Sequence, residues 1–145
     1  MKRKTWLLVA NATIAKVYDN PKVGELHLIE TLEHPEGRLA AQELESDARG
    51  QEFSRIGKSA NTYEPAVGPE KQQMAIFARE IGEFLEHRRQ ENSFERLFIA
   101  AAPGILGMLR QAISQPLSET VVAEESKDLT SQNPDQLLKN LTFAL

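Results

Sequence analysis

The sequence predicts an α/β domain on a mixed β-sheet, with elements in the order βββαβαβα. Three observations carry that prediction. Short apolar runs near the N-terminus are separated only by turn chemistry, as in an antiparallel meander. A long helical pattern opens at Pro69. Beyond it, strand-like and helix-like runs alternate from Phe94 to Leu141, an order that implies parallel pairing through a crossover helix.

Thr5 to Ala10 reads as a buried strand and Thr13 to Tyr18 as the next, with Asn11-Ala12 in a tight connection. Asp19-Asn20-Pro21-Lys22 is a turn, because Asn and Asp bond their own backbone and Pro fixes φ. Glu25 to Leu32 alternates, which places Leu26, Leu28 and Leu32 on one face and His27 and Thr31 on the other. From Glu33 to Pro69 periodicity fails. A short helix over Arg38 to Glu45 is compatible with the pattern, but Gly50, Gly57, Pro65 and Gly68 interrupt the rest of the stretch. Structureless connections of this length are usually functional or disordered.

From Pro69 to about Gln90, Met74, Phe77, Ile81, Phe84 and Leu85 recur at helical spacing, while Glu70, Lys71, Glu80 and Glu83 lie off that stripe. Leu97 to Ala102 is apolar throughout, as expected of a strand covered on both faces. Pro103 opens a helix favourably because the N–H it lacks would be unpaired there anyway. Ile105, Leu106, Met108, Leu109 and Ile113 supply that helix's buried side, and Gly107 lets it pack closely on the sheet. Thr120 to Ala123 is the last strand, and Asn133-Pro134 caps a terminal helix carrying Leu137, Leu138 and Leu141.

The 145 residues fit one domain, 1–145, with a long loop at 33–69. A content of 41% hydrophobic and 26% charged residues is that of an ordinary globular chain. The net charge of -4 excludes a surface that is basic throughout, although local basic patches remain compatible with it. With no cysteine there is no disulfide, thiolate metal site or thiol nucleophile. Met1-Lys2-Arg3-Lys4 followed by Trp6 to Ala10 mimics a signal peptide. The apolar run falls short of the roughly seven residues such a segment needs, and cleavage would delete the first strand. No run approaches the roughly 18 apolar residues of a membrane span. The expected location is cytoplasmic.

Four pieces of the chain carry a family resemblance. They are Trp6 to Ala12 with Ala15, the Ser46-Asp47-Ala48-Arg49-Gly50 loop, Ala102 to Arg110 (APGILGMLR), and Lys127-Asp128-Leu129-Thr130. In this order they resemble the bacterial host attachment family, "protein required for attachment to host cells". The chain departs from the family at Asn11, where members commonly carry an acid. The family in turn looks like the middle domain of archaeal and eukaryotic peptide-chain release factors. The resemblance therefore implies an RNase H-like arrangement and a loop that reaches the peptidyl-transferase centre through Gly-Gly-Gln. Here Arg49-Gly50-Gln51 lies in a comparable position, with Arg49 in place of the first glycine.

Arg49, Arg55 and Lys58 face a single acid, Glu52, within ten residues, a pattern suited to RNA phosphates and equally to a solvated loop. Gly57-Lys58-Ser59 is not a P-loop, since the required earlier glycine is Glu52 and no strand precedes it. Pro103-Gly104 puts a helix N-terminus at the carboxyl end of a strand, where α/β sheets bind ligands, with Arg110 on the same helix. Lys127-Asp128 follows the next strand's end and borders the same crevice, unless Asp128 caps a turn and Lys127 pairs with a neighbouring acid.

Metal-dependent hydrolysis needs several converging acids. Asn11 removes one candidate, and nothing in the spacing of Asp19, Asp47 and Asp128 brings them together. His27, His34 and His87 are scattered, and Glu83 four residues before His87 suggests an ordinary helix pair. The reading that results is a non-catalytic module, without cofactor or metal, that binds RNA or the ribosome through Arg49, Gly50, Gln51, Arg55 and Lys58. The alternatives are a hydrolase of peptidyl-tRNA-type esters in which Gln51 orients water, a module for a protein partner, and a factor acting directly or indirectly in attachment.

Overall fold

The computed structural model describes residues 3–37 and 68–145. Its centre is β1, Thr5–Ala10, buried at every position, which is why it is apolar throughout from Trp6 on. After a tight turn closed by the Asn11 N–H on the Ile14 carbonyl (2.9 Å), β2, Ile14–Asp19, returns antiparallel, and β3, His27–Glu33, pairs antiparallel with β2. On the other side of β1, β4, Arg96–Ala101, runs parallel to it, and β5, Val121–Ser126, runs parallel to β4. The sheet order is therefore β3-β2-β1-β4-β5.

Alternation along each strand divides the core into two layers. Trp6, Leu8, Ala10, Val17, Leu97 and Ile99 face α1, Pro69–Gln90, and α2, Pro103–Ala112. Leu7, Val9, Tyr18, Phe98 and Ala100 face the other way, under Leu129, Leu137, Leu141 and Leu145. α1 buries Phe77, Ala78, Ile81 and Leu85 and ends in a reversal in which Ser93 N–H reaches the Arg88 carbonyl and Asn92 N–H the Arg89 carbonyl (2.9 Å each). That reversal holds Asn92 at φ 62°, the left-handed region where Asn is one of the few tolerated side chains. The terminal helix α4, Pro134–Asn140, begins with a reciprocal capping box between Asn133 and Gln136.

Several expectations need correction. A one-turn helix, α3 (Gln115–Ser118), precedes β5; Ser114 caps it by accepting the Leu117 N–H. β5 runs to Ser126 rather than Ala123. Leu26, Leu28 and Leu32 do not share a face. Val17 pairs with Glu30 and Tyr18 with Leu28, so Ile29 bulges out of register and the alternation changes phase. Leu32 then packs towards the α1 layer, while Leu28 on this edge strand is 51% exposed. Val122 is the corresponding bulge in β5, on the opposite edge. Gly107 is not what brings a helix close, since a Cβ there would meet nothing within 4 Å. Close approach occurs at Gly82, where a Cβ would stand 3.4 Å from the Ala112 carbonyl of α2. The short helix expected over Arg38 to Glu45 and most of the 33–69 loop lie outside the described residues.

Candidate functional site

Parallel strands β1, β4 and β5 end on one edge of the sheet, and the loops that leave them meet there. Asn11, after β1, uses its whole carboxamide. Its Oδ1 accepts from Thr13 N–H (2.9 Å), Ile14 N–H (2.9 Å) and the Thr13 hydroxyl (3.1 Å), which fixes the β1–β2 turn. Its Nδ2 donates to Asp128 Oδ2 at 3.1 Å and to Thr130 Oγ1 at 3.0 Å, a bridge across 117 residues of sequence to the loop after β5. Asp128 Oδ1 in turn accepts the Thr130 N–H (3.0 Å) and hydroxyl (2.7 Å), an Asx turn. The Lys16 ammonium donates to the Thr130 carbonyl at 2.8 Å. Burial pushes the Asp128 carboxyl upward, but the bonds from Thr130 and Asn11 outweigh it and hold the group below the usual carboxylate range.

A cleft of about 360 Å³ opens beside this staple. Asn11, Ala12 and Thr13 form one wall, Glu70 and Met74 of α1 another, and Ala102, Gly104 and Ile105 at the start of α2 the third. Met74 packs directly on Gly104, where a Cβ would stand 3.0 Å from its Sδ. The first hydrogen bond at the start of α2 runs from Leu106 N–H to the Ala102 carbonyl, so the Gly104 and Ile105 N–H groups precede the ladder. A second cleft, about 310 Å³, adjoins at Thr13 and is bounded by Glu33 and Pro35. Gly37 packs against the same turn, with room for no side chain: a Cβ would meet the Ala12 carbonyl oxygen at 2.5 Å.

Residues 6–141 match the model of the family described as "protein required for attachment to host cells". The chain belongs to that family. No curated protein matches it.

The residues expected to act in this host attachment family member fall into three groups. Pro103 and Gly104 lie where expected, at the carboxyl edge of β4, and Gly104 lines the cleft. Arg110 does not join them. It sits in the last turn of α2, and its guanidinium is paired with Glu124 of β5 at 2.8 Å. Lys127 also turns away, its ammonium lying 3.0 Å from Glu125 Oε2. That oxygen is buried without a well-formed hydrogen bond, so the cation compensates it as a charge, while Oε1 accepts the Thr142 N–H (2.8 Å) and hydroxyl (2.9 Å). Asp128 takes the turn-capping role and reaches Asn11, a meeting its spacing in the sequence did not suggest. Arg49, Gly50, Gln51, Arg55 and Lys58 lie outside the described residues, as does Asp47.

Among the described residues no three His, Cys, Asp or Glu side chains cluster as a metal site, and no helix is long and apolar enough to cross a membrane. His87 pairs with Glu91 (3.2 Å) rather than Glu83; both are four residues away, on opposite sides. Sequence reasoning missed His34, buried against Phe77 (5.2 Å between ring centroids) with Nε2 2.7 Å from Gln73 Oε1. It missed Glu70 and Met74 as cleft walls too. The available signal was their place in the first turns of a helix that starts beside a strand edge.

Proposed function

We propose that this protein is a non-catalytic binding module for RNA, ribosomal RNA included, in which Arg49, Gln51, Arg55 and Lys58 contact the backbone. The observation that carries the reading is where the chain leaves and re-enters the described structure. Gly37 packs on Ala12, and Glu70 and Met74, just after Pro69, line the cleft with Asn11 to Thr13. Described residues on either side of the stretch that holds all four thus lie at the Asn11–Thr13 turn. The sheet order, a three-strand meander followed by two parallel strands, supports the RNase H-like, release-factor-like relationship that the sequence resemblance implies. The non-catalytic part rests on Asn11 and Asp128, whose polar atoms hold each other and their own turns. A role in host attachment would then be indirect, through the RNA-bound state.

Co-sedimentation with ribosomes at low and high salt, beside an Arg55→Glu/Lys58→Glu variant, tests the reading. Association that falls steeply with salt and disappears in the variant is expected. A wild-type protein that stays unbound at low salt refutes it. Cleavage of peptidyl-tRNA that is lost in Gln51→Ala while binding persists would replace the module by a hydrolase.

A further inference from the structure

On the sheet face away from α1 and α2, residues 142–145 follow α4 as a strap with no helix or strand of its own. Phe143 lies against Phe98, with ring centroids 4.9 Å apart, and Leu145 is buried in the same layer. With no ladder to join, the strap is tied down by a few bonds at its two ends. At one end the Leu145 carbonyl accepts from the Gly24 N–H (2.8 Å) and from Asn20 Nδ2 (3.0 Å), in the β2–β3 turn. At the other end the Thr142 N–H (2.8 Å) and hydroxyl (2.9 Å) both donate to Glu125 Oε1 of β5. Short segments held in this way belong to the low-stability end of a fold and open before its central strands.

Glu125 is a costly anchor, because its side chain is only 7% exposed and a buried carboxylate needs a compensating charge. Oε1 is occupied by Thr142, and Oε2 is buried without a hydrogen bond, so the Lys127 ammonium 3.0 Å away balances it. Lys127 is the charged group that faces Glu125 among the described residues. Ala100, its register partner on β4, and Thr142 of the strap do not titrate. We infer that residues 142–145 are a charge-locked strap. With Glu125 ionised and Lys127 beside it the strap covers Phe98; with Glu125 protonated it comes away and uncovers that ring while the sheet stays folded. Burial pushes the Glu125 carboxyl upward, but the Thr142 N–H, Lys127 and the Thr142 hydroxyl outweigh it and hold the group below its ordinary 4.5. A carboxyl lowered in the attached state grips fully above about pH 4.5 and lets go as pH falls through the attached value. Lys127, half exposed, sets where that happens: without its charge, release comes at higher pH. This device is independent of the RNA reading.

The test follows the Thr142 amide and the Phe143 ring signals of the whole chain by NMR as pH is lowered from neutral into the acid range. Hydrogen-exchange protection of the β1 amides serves as the measure of the whole fold. Thr142 protection should be lost below about pH 4.5 while the β1 amides stay protected. In Glu125→Gln, protection of Thr142 at neutral pH should be at least about tenfold lower, the difference two charge-assisted bonds make over neutral ones. It should also no longer vary with pH through the acid range. In Lys127→Met, which leaves Glu125 intact, release should move to higher pH. That variant changes a half-exposed side chain and decides the matter if Glu125→Gln does not fold. Loss of protection in the strap and β1 together at every pH overturns the inference. So does a Lys127→Met release at the wild-type pH, or a Glu125→Gln strap that still responds to acid as the wild type does.

Discussion

Replacing Asn11 by Ala removes five side-chain hydrogen bonds at once. A neutral bond contributes about 1 kcal/mol and one to a charged carboxylate about 2 kcal/mol, so a simple sum is about 6 kcal/mol. The cleft next to Asn11 lets water replace part of what is lost, and half the sum, about 3 kcal/mol, is the better expectation. For a chain of this size that corresponds to a fall in melting temperature of roughly 10 °C. Chemical denaturation of Asn11→Ala, Asp128→Ala and the double variant provides the assay. The cycle should give a coupling of about 1.5 kcal/mol, because the two side chains share one bond and a common partner in Thr130. Asn11→Asp keeps the three accepted bonds but sets a second carboxylate against Asp128, so its loss should shrink as acid protonates one of the pair. A melting point for Asn11→Ala within 2 °C of wild type, taken as about 0.5 kcal/mol, would refute the idea that this staple holds the edge together.

Other residues yield independent expectations. Ser114→Ala should cost about 1 kcal/mol in urea denaturation, since Ser114 caps α3 through Leu117 N–H and also donates to Glu86 Oε1 at 2.9 Å. The Glu86 carboxyl is held at about 2 by Arg89 foremost, with Ser114 and Gln90 adding to it. Its folded value lies below the unfolded one, so its contribution is complete above about pH 4.5 and is lost as pH falls towards 2. Stability measured between pH 5 and pH 2 should therefore fall less steeply in Glu86→Gln. Asn92→Gly should raise stability by up to about 1 kcal/mol and Asn92→Ala lower it by about as much, because φ is 62° there. Gly37→Ala should lower the melting temperature clearly, since the new Cβ meets the Ala12 carbonyl, a backbone atom that cannot swing away.

Local patterns are legible because they report local physics. The unbroken apolarity of Trp6 to Ala10 in β1 and Leu97 to Ala101 in β4 announces strands covered on both faces, and the stripe on α1 announces the face that meets the sheet. Pro69, Pro103 and Pro134 each mark a helix start, for the reason that Pro loses least there. Several of the misreadings share one cause, a distant partner or pairing that leaves no local mark, whereas α3 was missed despite its local Ser114 cap and Pro116. An unbroken period of two puts Leu28 and Leu32 on one face, and a single bulge at Ile29 reverses that phase without a trace in composition. Arg110 and Lys127 look like free cations until their partners, Glu124 and Glu125, are seen beside them. Of the candidate site, the Pro103-Gly104 helix start is visible in the sequence, but its opposite wall, Glu70 and Met74, is not.

The sequence by itself determined the family, the order of the elements apart from α3, and which residues are apolar enough to be buried. Those properties rest on periodicity, turn chemistry and capping, all of which act over a few residues. Only the tertiary structure decided the strand order β3-β2-β1-β4-β5, the two bulges and the meeting of Asn11 with Asp128. The physical reason is that strand pairing is a contest among distant partners, settled by which crossovers the helices permit and which faces they cover. A bond between residues 117 apart in sequence exists only once that contest has been settled.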